Sequence, residues 1–364
     1  MIDVFRQRSL RLLFGSFYNP NFFIAQQKAV KKFPILKQKY SFLKRLQCFR
    51  NGFTSDKLIW YDFKKYDKSL YVSDLIHYRD LEQIDWKYYY IAHNKLVFER
   101  YFSHFCNVVP TIGYIDRGRY FNISCNEDIF DFSSLKQAIL NGNVFYFKPY
   151  DGGSGRGIGK VAFDGTYILW NDLPYDLVSF DLLLGSLSGY LVQHQFVQKG
   201  FSHDVNPDSL NTLRVVTMQD VNTREPFVAY ALHRIGRKGS YVDNIAKKNL
   251  ICPIDVRTGV IKYAVIYPLD GVLRKVQEHP DTHLQIGNHK IPNWGDVESL
   301  VLKLSKQIPF MPLCGWDIIL SGDNIYVQEL NYNPDIYLGQ VDAPLLMDNR
   351  VKEFVDYYTH KKRK

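Results

Sequence analysis

The sequence predicts an α+β chain: a helical N-terminal segment over about residues 1–90, then short strands alternating with helices. Three observations predict it. Apolar residues recur at helical spacing at Phe33, Leu36, Tyr40, Leu43 and Leu46. From about residue 91 short apolar runs are separated by Gly, Asn and Asp turns, with helical stretches at 94–105 and 296–305 between them. Two of these runs read as hairpins, one around the glycines at 152–159 and one around Ser321-Gly322-Asp323-Asn324.

Composition narrows the class. With 364 residues, 46% of them hydrophobic and 15% aromatic, the chain has enough apolar mass for a large core. Its five cysteines are widely spaced and form no Cys-x-x-Cys pair, which argues against a disulfide framework or a zinc knuckle and for reduced residues in the cytosol. No apolar run approaches the roughly 18 residues that a membrane span needs, and the first twenty residues lack a signal-peptide pattern, so a soluble cytoplasmic protein is expected. The net charge of +9 favours anionic ligands. Its densest block, Tyr357 to Lys364, is a candidate contact for anionic lipid at the inner membrane face, against the plainer reading of a solvated terminus. No nucleic-acid recognition motif stands behind the charge.

The stretch from Val144 to Phe163 carries Lys148 and then Gly152, Gly153, Ser154, Gly155, Arg156, Gly157 and Gly159. Glycines at this density let backbone N–H groups converge on phosphate. A Walker A loop is excluded, because Ser154 stands where its first glycine belongs and Val161 where its hydroxyl belongs. A dinucleotide fingerprint is excluded too, because Ile158 to Phe163 is β-branched and aromatic and reads as a strand. A strand–loop–strand lid over phosphates is expected, with Lys148 at the end of the entering strand; an ordinary glycine turn is the alternative.

Gly315 to Leu320 and Ile325 to Asn331 read as two strands joined by a tight turn. Pairing outward from that turn brings Asp317 to within about one residue of Glu329, and period-2 alternation puts Glu329 and Asn331 on one face. Two carboxylates and an amide oxygen among apolar residues suit Mg²⁺ bridging ATP phosphates.

Together these two features resemble the ATP-grasp fold. Intermediate segments resemble it as well: Asn94-Lys95 before a helix and Val109-Pro110; Tyr190-Leu-Val-Gln193; Asn211-Thr-Leu-Arg214; Ala231-Leu-His-Arg234; and Tyr241-Val-Asp243-Asn244. More closely, Ser209 to Thr217, Arg234-Ile-Gly236, His279-Pro-Asp-Thr282, Ile291-Pro-Asn-Trp294 and Gly315-Trp-Asp-Ile318 look like the sugar-transfer-associated ATP-grasp proteins, a group similar to glutamate-ligase-like enzymes and linked to bacterial surface-polysaccharide biosynthesis.

The resemblance spans roughly residues 90–345. It implies a nucleotide held between two α/β subdomains: 91–193, nucleotide-binding with the glycine lid, and 194–364, which binds metal and substrate. It implies ATP and Mg²⁺ as cofactors. Lys95, Lys148, Gly152, Gly153, Ser154, Gly155, Arg156, Gly157 and Gln193 are implied to contact ATP; Asp317, Glu329 and Asn331 the metal; Arg214, Arg234 and Asn244 the reacting groups. His233 reads as a strand residue and His279 as a turn residue. Relatives usually have a Gly-Gly pair soon after the Asn, whereas this chain has Lys247-Lys248, two cations able to recruit an acidic substrate.

The implied activity is carboxylate–amine ligation through an acyl-phosphate, on small-molecule substrates that are sugar or amino-acid building blocks of surface polysaccharide. Two alternatives share the nucleotide half: a kinase acting on a sugar or polyol hydroxyl, and a non-catalytic ATP-binding partner of glycosyltransferases.

Overall fold

The computed structural model describes residues 19–124, 128–152 and 156–360. Helices come first, and capping side chains set their ends. Asn19 accepts from the Phe22 N–H, and Pro20 opens the helix Pro20–Lys32 where a missing N–H costs nothing. Asn94 accepts from the Leu96 and Val97 N–H groups at the head of the helix Lys95–Phe102. The apolar stripe expected from Phe33 to Leu46 is interrupted. Tyr40 is extended and Ser41 caps a new helix, Phe42–Arg50, so Phe33 and Leu36 are buried while Leu43 is 74% exposed.

The strands are β1 (Asn107–Val108), β2 (Gly113–Asp116), β3 (Arg119–Asn122), β4 (Phe145–Pro149), β5 (Gly159–Phe163), β6 (Ile168–Trp170), β7 (Leu173–Tyr175), β8 (Tyr190–His194), β9 (Leu213–Gln219), β10 (Pro226–Ile235), β11 (Leu250–Asp255), β12 (Val260–Ile261), β13 (Ala264–Ile266), β14 (Arg274–Val276), β15 (Leu313–Ser321) and β16 (Asn324–Asn331). Seven of them form an antiparallel sheet in the order β3-β2-β8-β4-β5-β6-β7. The other nine form a larger sheet, β1-β16-β15-β9-β10-β11-β13-β14 with β12 on β11, antiparallel except where β1 joins β16. The glycine stretch connects β4 to β5, and the acidic hairpin is β15–β16, with Asp317 paired to Glu329.

The central strands of the large sheet are covered on both faces, and their side chains alternate between two cores. Leu213, Val215, Trp316 and Ile318 pack with Val297, Val301 and Leu304 of the helix Trp294–Gln307. Val216, Met218 and Leu232 pack on the opposite face with Leu36, Trp60 and Tyr61 of the N-terminal segment and with Val351 and Phe354 of the C-terminal helix Asn349–His360. The N-terminal segment is therefore part of the large sheet's core. The small sheet has its own core beneath the helices Phe132–Leu140 and Leu177–Ser186.

Among the described residues no helix is long and apolar enough to cross a membrane. The end of the basic tail, residues 361–364, lies outside the described residues.

Trp60 is 2% exposed and lies against the rings of Tyr267 and Tyr337. Trp60→Ala should lower unfolding free energy by about 3–5 kcal/mol in a denaturant titration; a loss below about 1 kcal/mol would show that the segment does not unfold with the sheet.

Candidate functional site

Between the two sheets lies a cavity of ≈ 450 Å³. The small sheet contributes Tyr146 and Lys148 from β4, and the chain after β8 contributes His194 to Gln198. The large sheet contributes Arg214 from β9, Arg234 from β10, Asp317 from β15 and Glu329 and Asn331 from β16. A volume of this size suits a nucleotide-sized ligand.

Sheet register builds the floor. Asp317 lies directly across from Arg214 on one side and from Glu329 on the other, so all three side chains share a face. Leu232 pairs with Arg214, and Arg234 follows two residues later on that same face. Arg214 Nε donates to Asp317 Oδ1 at 2.5 Å and its Nη2 to Oδ2 at 3.2 Å; Arg234 Nη2 donates to the same Oδ2 at 2.9 Å. Arg234 also donates to Thr212 Oγ1 and lies 3.4 Å from Asp243, whose Oδ2 accepts from Thr212. The chain Arg214–Asp317–Arg234–Asp243 alternates in charge and is buried throughout.

The acid dissociations follow from that pattern. Burial alone would raise the Asp317 carboxyl, but the two guanidinium groups outweigh it and hold it below the ordinary range. Asp243 is raised, because its burial outweighs the attraction of Arg234.

The opposite wall is cationic. Lys148 Nζ is buried, and among the described residues it makes no hydrogen bond or ion pair. Burial, with Lys95 adding repulsion, lowers it to about 8. Lys95 Nζ donates to Gly152 O at 2.7 Å and lies 3.9 Å from Glu329 Oε2, so it ties the glycine stretch to β16. A buried ammonium without a counter-ion is costly, and an anionic ligand relieves the cost. The wall therefore fits phosphate.

For a divalent cation the donor set fits in part. Glu329 faces the cavity, and Asn331 donates its Nδ2 to Gly315 O, which leaves its amide oxygen as the ligand atom. Asp317, expected as a ligand, accepts on both oxygens from guanidinium groups, whose charge opposes a metal ion at that carboxylate. Among the described residues no three His, Cys, Asp or Glu side chains are grouped to hold a metal.

Of the expected ATP contacts, Lys95, Lys148, Gly152 and Arg156 line the cavity. Gly153, Ser154 and Gly155 lie outside the described residues. Gly157 does not line it. Gln193 differs from its expected place beside adenine: it lies on the face of β8 shared with Lys148, but reaches Val109 O at 3.2 Å and Thr111 Oγ1 at 3.1 Å. There it lines a space of ≈ 20 Å³, about one water in size, that adjoins the main cavity through Lys95, Val109, Lys148 and Gln328. The residues after it, His194 to Gln198, line the main cavity instead.

Asn244 lines the cavity, as do Arg214 and Arg234. Lys247 and Lys248 are exposed and do not. His233 is fully buried in β10, and His279 is a turn residue whose Nδ1 accepts from the Asp281 and Thr282 N–H groups. Sequence reasoning missed Thr212, Asp243 and Asp335 as cavity residues. The signals were a carboxylate immediately before Asn244 and another four residues after Asn331, both without cross-strand context.

A family model described as sugar-transfer associated ATP-grasp matches residues 83–354. Among solved structures, the ADP complex of N5-carboxyaminoimidazole ribonucleotide synthetase is 10% identical, covering 70% of this chain and 52% of that one, with a TM-score of 0.38. The ATP-grasp ligase PsnB, in complex with a phosphomimetic variant of its minimal precursor, Mg and ADP, is 12% identical over 72% of this chain and 57% of that one, at 0.36. The D-alanine–D-alanine ligase from Coxiella burnetii is 10% identical over 75% and 59%, at 0.37. This chain thus spans between 52% and 59% of those three structures, and at such TM-scores they add nothing to the family match. No curated protein matches the sequence.

Two outcomes follow from the site. Asp317→Asn leaves two buried guanidinium groups short of an anion and should destabilise the protein by about 3–5 kcal/mol in thermal or denaturant unfolding. Lys148 carries its charge below about pH 8 and loses it above. Nucleotide affinity measured by calorimetry should therefore weaken from pH 7 to 9, and Lys148→Met should weaken it at pH 7 by roughly tenfold or more while flattening that dependence.

Proposed function

We propose that this chain, which belongs to the sugar-transfer associated ATP-grasp family, uses Mg-ATP to activate a small-molecule carboxylate and join it to an amine. The observation that carries the reading is the pairing of charges across the cavity: a buried ammonium without an ion pair among the described residues, Lys148, on one wall, and two anchored guanidinium groups on the other.

Phosphoryl transfer depends mainly on positioning and charge neutralisation, and the residues divide that work. Lys148 and Lys95 take the phosphate oxygens, and Gly152 allows a close approach of the backbone. Glu329 and Asn331 would hold Mg²⁺, which supplies further neutralisation of the phosphates. A substrate carboxylate oxygen attacks the γ-phosphorus, the bond to the bridging oxygen breaks, and ADP leaves with the electron pair. Arg214 and Arg234, anchored by Asp317, both line the cavity, and their charge would stabilise the acyl-phosphate there. The neutral amine nitrogen then attacks the acyl carbon, phosphate departs with the electron pair of the C–O bond, and the nitrogen gives up a proton to solvent.

The family's description, sugar-transfer associated, supports a sugar-linked substrate, and we propose sugar or amino-acid building blocks of surface polysaccharide.

Incubation with Mg-ATP, hydroxylamine and a panel of uronic and amino acids tests this. Hydroxamate together with ADP is the expected result. ADP with a phosphorylated product and no hydroxamate would move the assignment to a kinase, and nucleotide binding without turnover to a non-catalytic partner.

A further inference from the structure

The turn that follows β16, Asn331-Tyr332-Asn333-Pro334-Asp335, lines the cavity with Asn331, Asn333 and Asp335. It is held on three sides. Pro334 lies so close to β15 that a Cβ on Gly315 would come within 2.8 Å of it, which only glycine at that position permits. Tyr230 OH donates to Asp335 O at 2.9 Å, and the Tyr230 ring lies where a Cβ on Gly339 would stand, at 2.6 Å. Glu82, in the N-terminal segment just ahead of the family match, accepts from Asn333 Nδ2 at 3.1 Å. A carboxylate only accepts, so this bond fixes which way the Asn333 amide points.

Two acceptors are left over on this pinned turn. Asn333 Oδ1 is buried without a hydrogen-bond partner. The Asp335 carboxylate is exposed and lines the cavity, and among the described residues it makes no hydrogen bond or ion pair. Its plain structural use would be to cap the helix Ile336–Gly339, and it makes no such bond. An ammonium group is the complement of this arrangement, since it carries three donors, no acceptor and one positive charge. A hydroxyl acceptor is neutral and gains little from a carboxylate.

We infer that Asp335, with Asn333 oriented by Glu82, is the recognition site for the ammonium group of the acceptor, which makes the acceptor a primary amine. The inference rests on the ligase reading and deepens it. Asp335 is a specificity residue: it binds the amine as its ammonium in the cavity that Arg214 and Arg234 also line, and the nitrogen releases a proton to solvent before it attacks. Glu82 is a positioning residue acting through Asn333.

The test compares two nucleophiles on the full-length protein. Glycine, L-alanine and glucosamine serve as amine probes, and hydroxylamine, uncharged near pH 7, reports carboxylate activation without an ammonium. Asp335→Asn is expected to raise the KM for the accepted amine about tenfold or more, the cost of one charge-assisted hydrogen bond. Hydroxamate formation should fall much less, and Asp335→Glu should recover part of the amine affinity.

An unchanged amine KM, an equal loss with both nucleophiles, or a raised Mg²⁺ requirement in its place would each overturn the assignment. So would hydroxamate formation by the unaltered protein with none of the three amines accepted. Failure of the unaltered protein to form any hydroxamate would instead overturn the ligase reading, and this inference with it.

Discussion

Two guanidinium groups buried in one face of a sheet need anions within reach, and the centre of this protein is arranged around that requirement. Arg214 and Arg234 share Asp317, and Arg234 has Asp243 on its far side. The sequence of charges is neutral as a whole, which is what makes its burial tolerable. The network spans β9, β10 and β15, so a slip of one residue between any two of these strands would turn a charge into the apolar core on the opposite face. It therefore specifies register as well as holding the arginines still. Rigid donors suit a site that must stabilise charge as it develops, because no reorganisation is needed during reaction. The same bonds engage both oxygens of Asp317, beside the oxygen donors Glu329 and Asn331 on β16.

The face that carries the network is also the face that the N-terminal segment covers. Side chains alternate along β9, so Arg214 stands beside Val216 and Met218, and those two pack on the helices that come first in the chain. The Glu82–Asn333 bond ties the segment to the turn after β16, and the Tyr89 ring lies against that of Tyr332 in the same turn. Removing the segment would uncover an apolar sheet face and take away one of the turn's anchors.

The opposite wall belongs to a different sheet with a separate core. Its cation, Lys148, has no anion of its own, while the large sheet's cations are already compensated. An anionic ligand entering between the sheets would therefore gain most from Lys148, and it would link the two layers through charge. Lys95, which touches both Gly152 and Glu329, already spans that gap.

Much of this was legible in the residues themselves. Tight turns and period-2 alternation are local, so the hairpins β4–β5 and β15–β16 and the pairing of Asp317 near Glu329 follow from spacing alone. The order of Lys148, the glycines, Arg214, Arg234 and the Glu-x-Asn pair sufficed to identify the family. Three things were not legible. That Asp317 binds arginine depends on register between β9 and β15, strands a hundred residues apart. That Gln193 reaches Val109 and Thr111 depends on where the start of β2 lies against β8. That Glu82 reaches Asn333 depends on which face of the large sheet the N-terminal segment covers. Sequence by itself determined the elements and the chemical types present, because those rest on neighbours along the chain. Tertiary structure alone decided which charge meets which, because partners across a sheet are set by packing between distant segments.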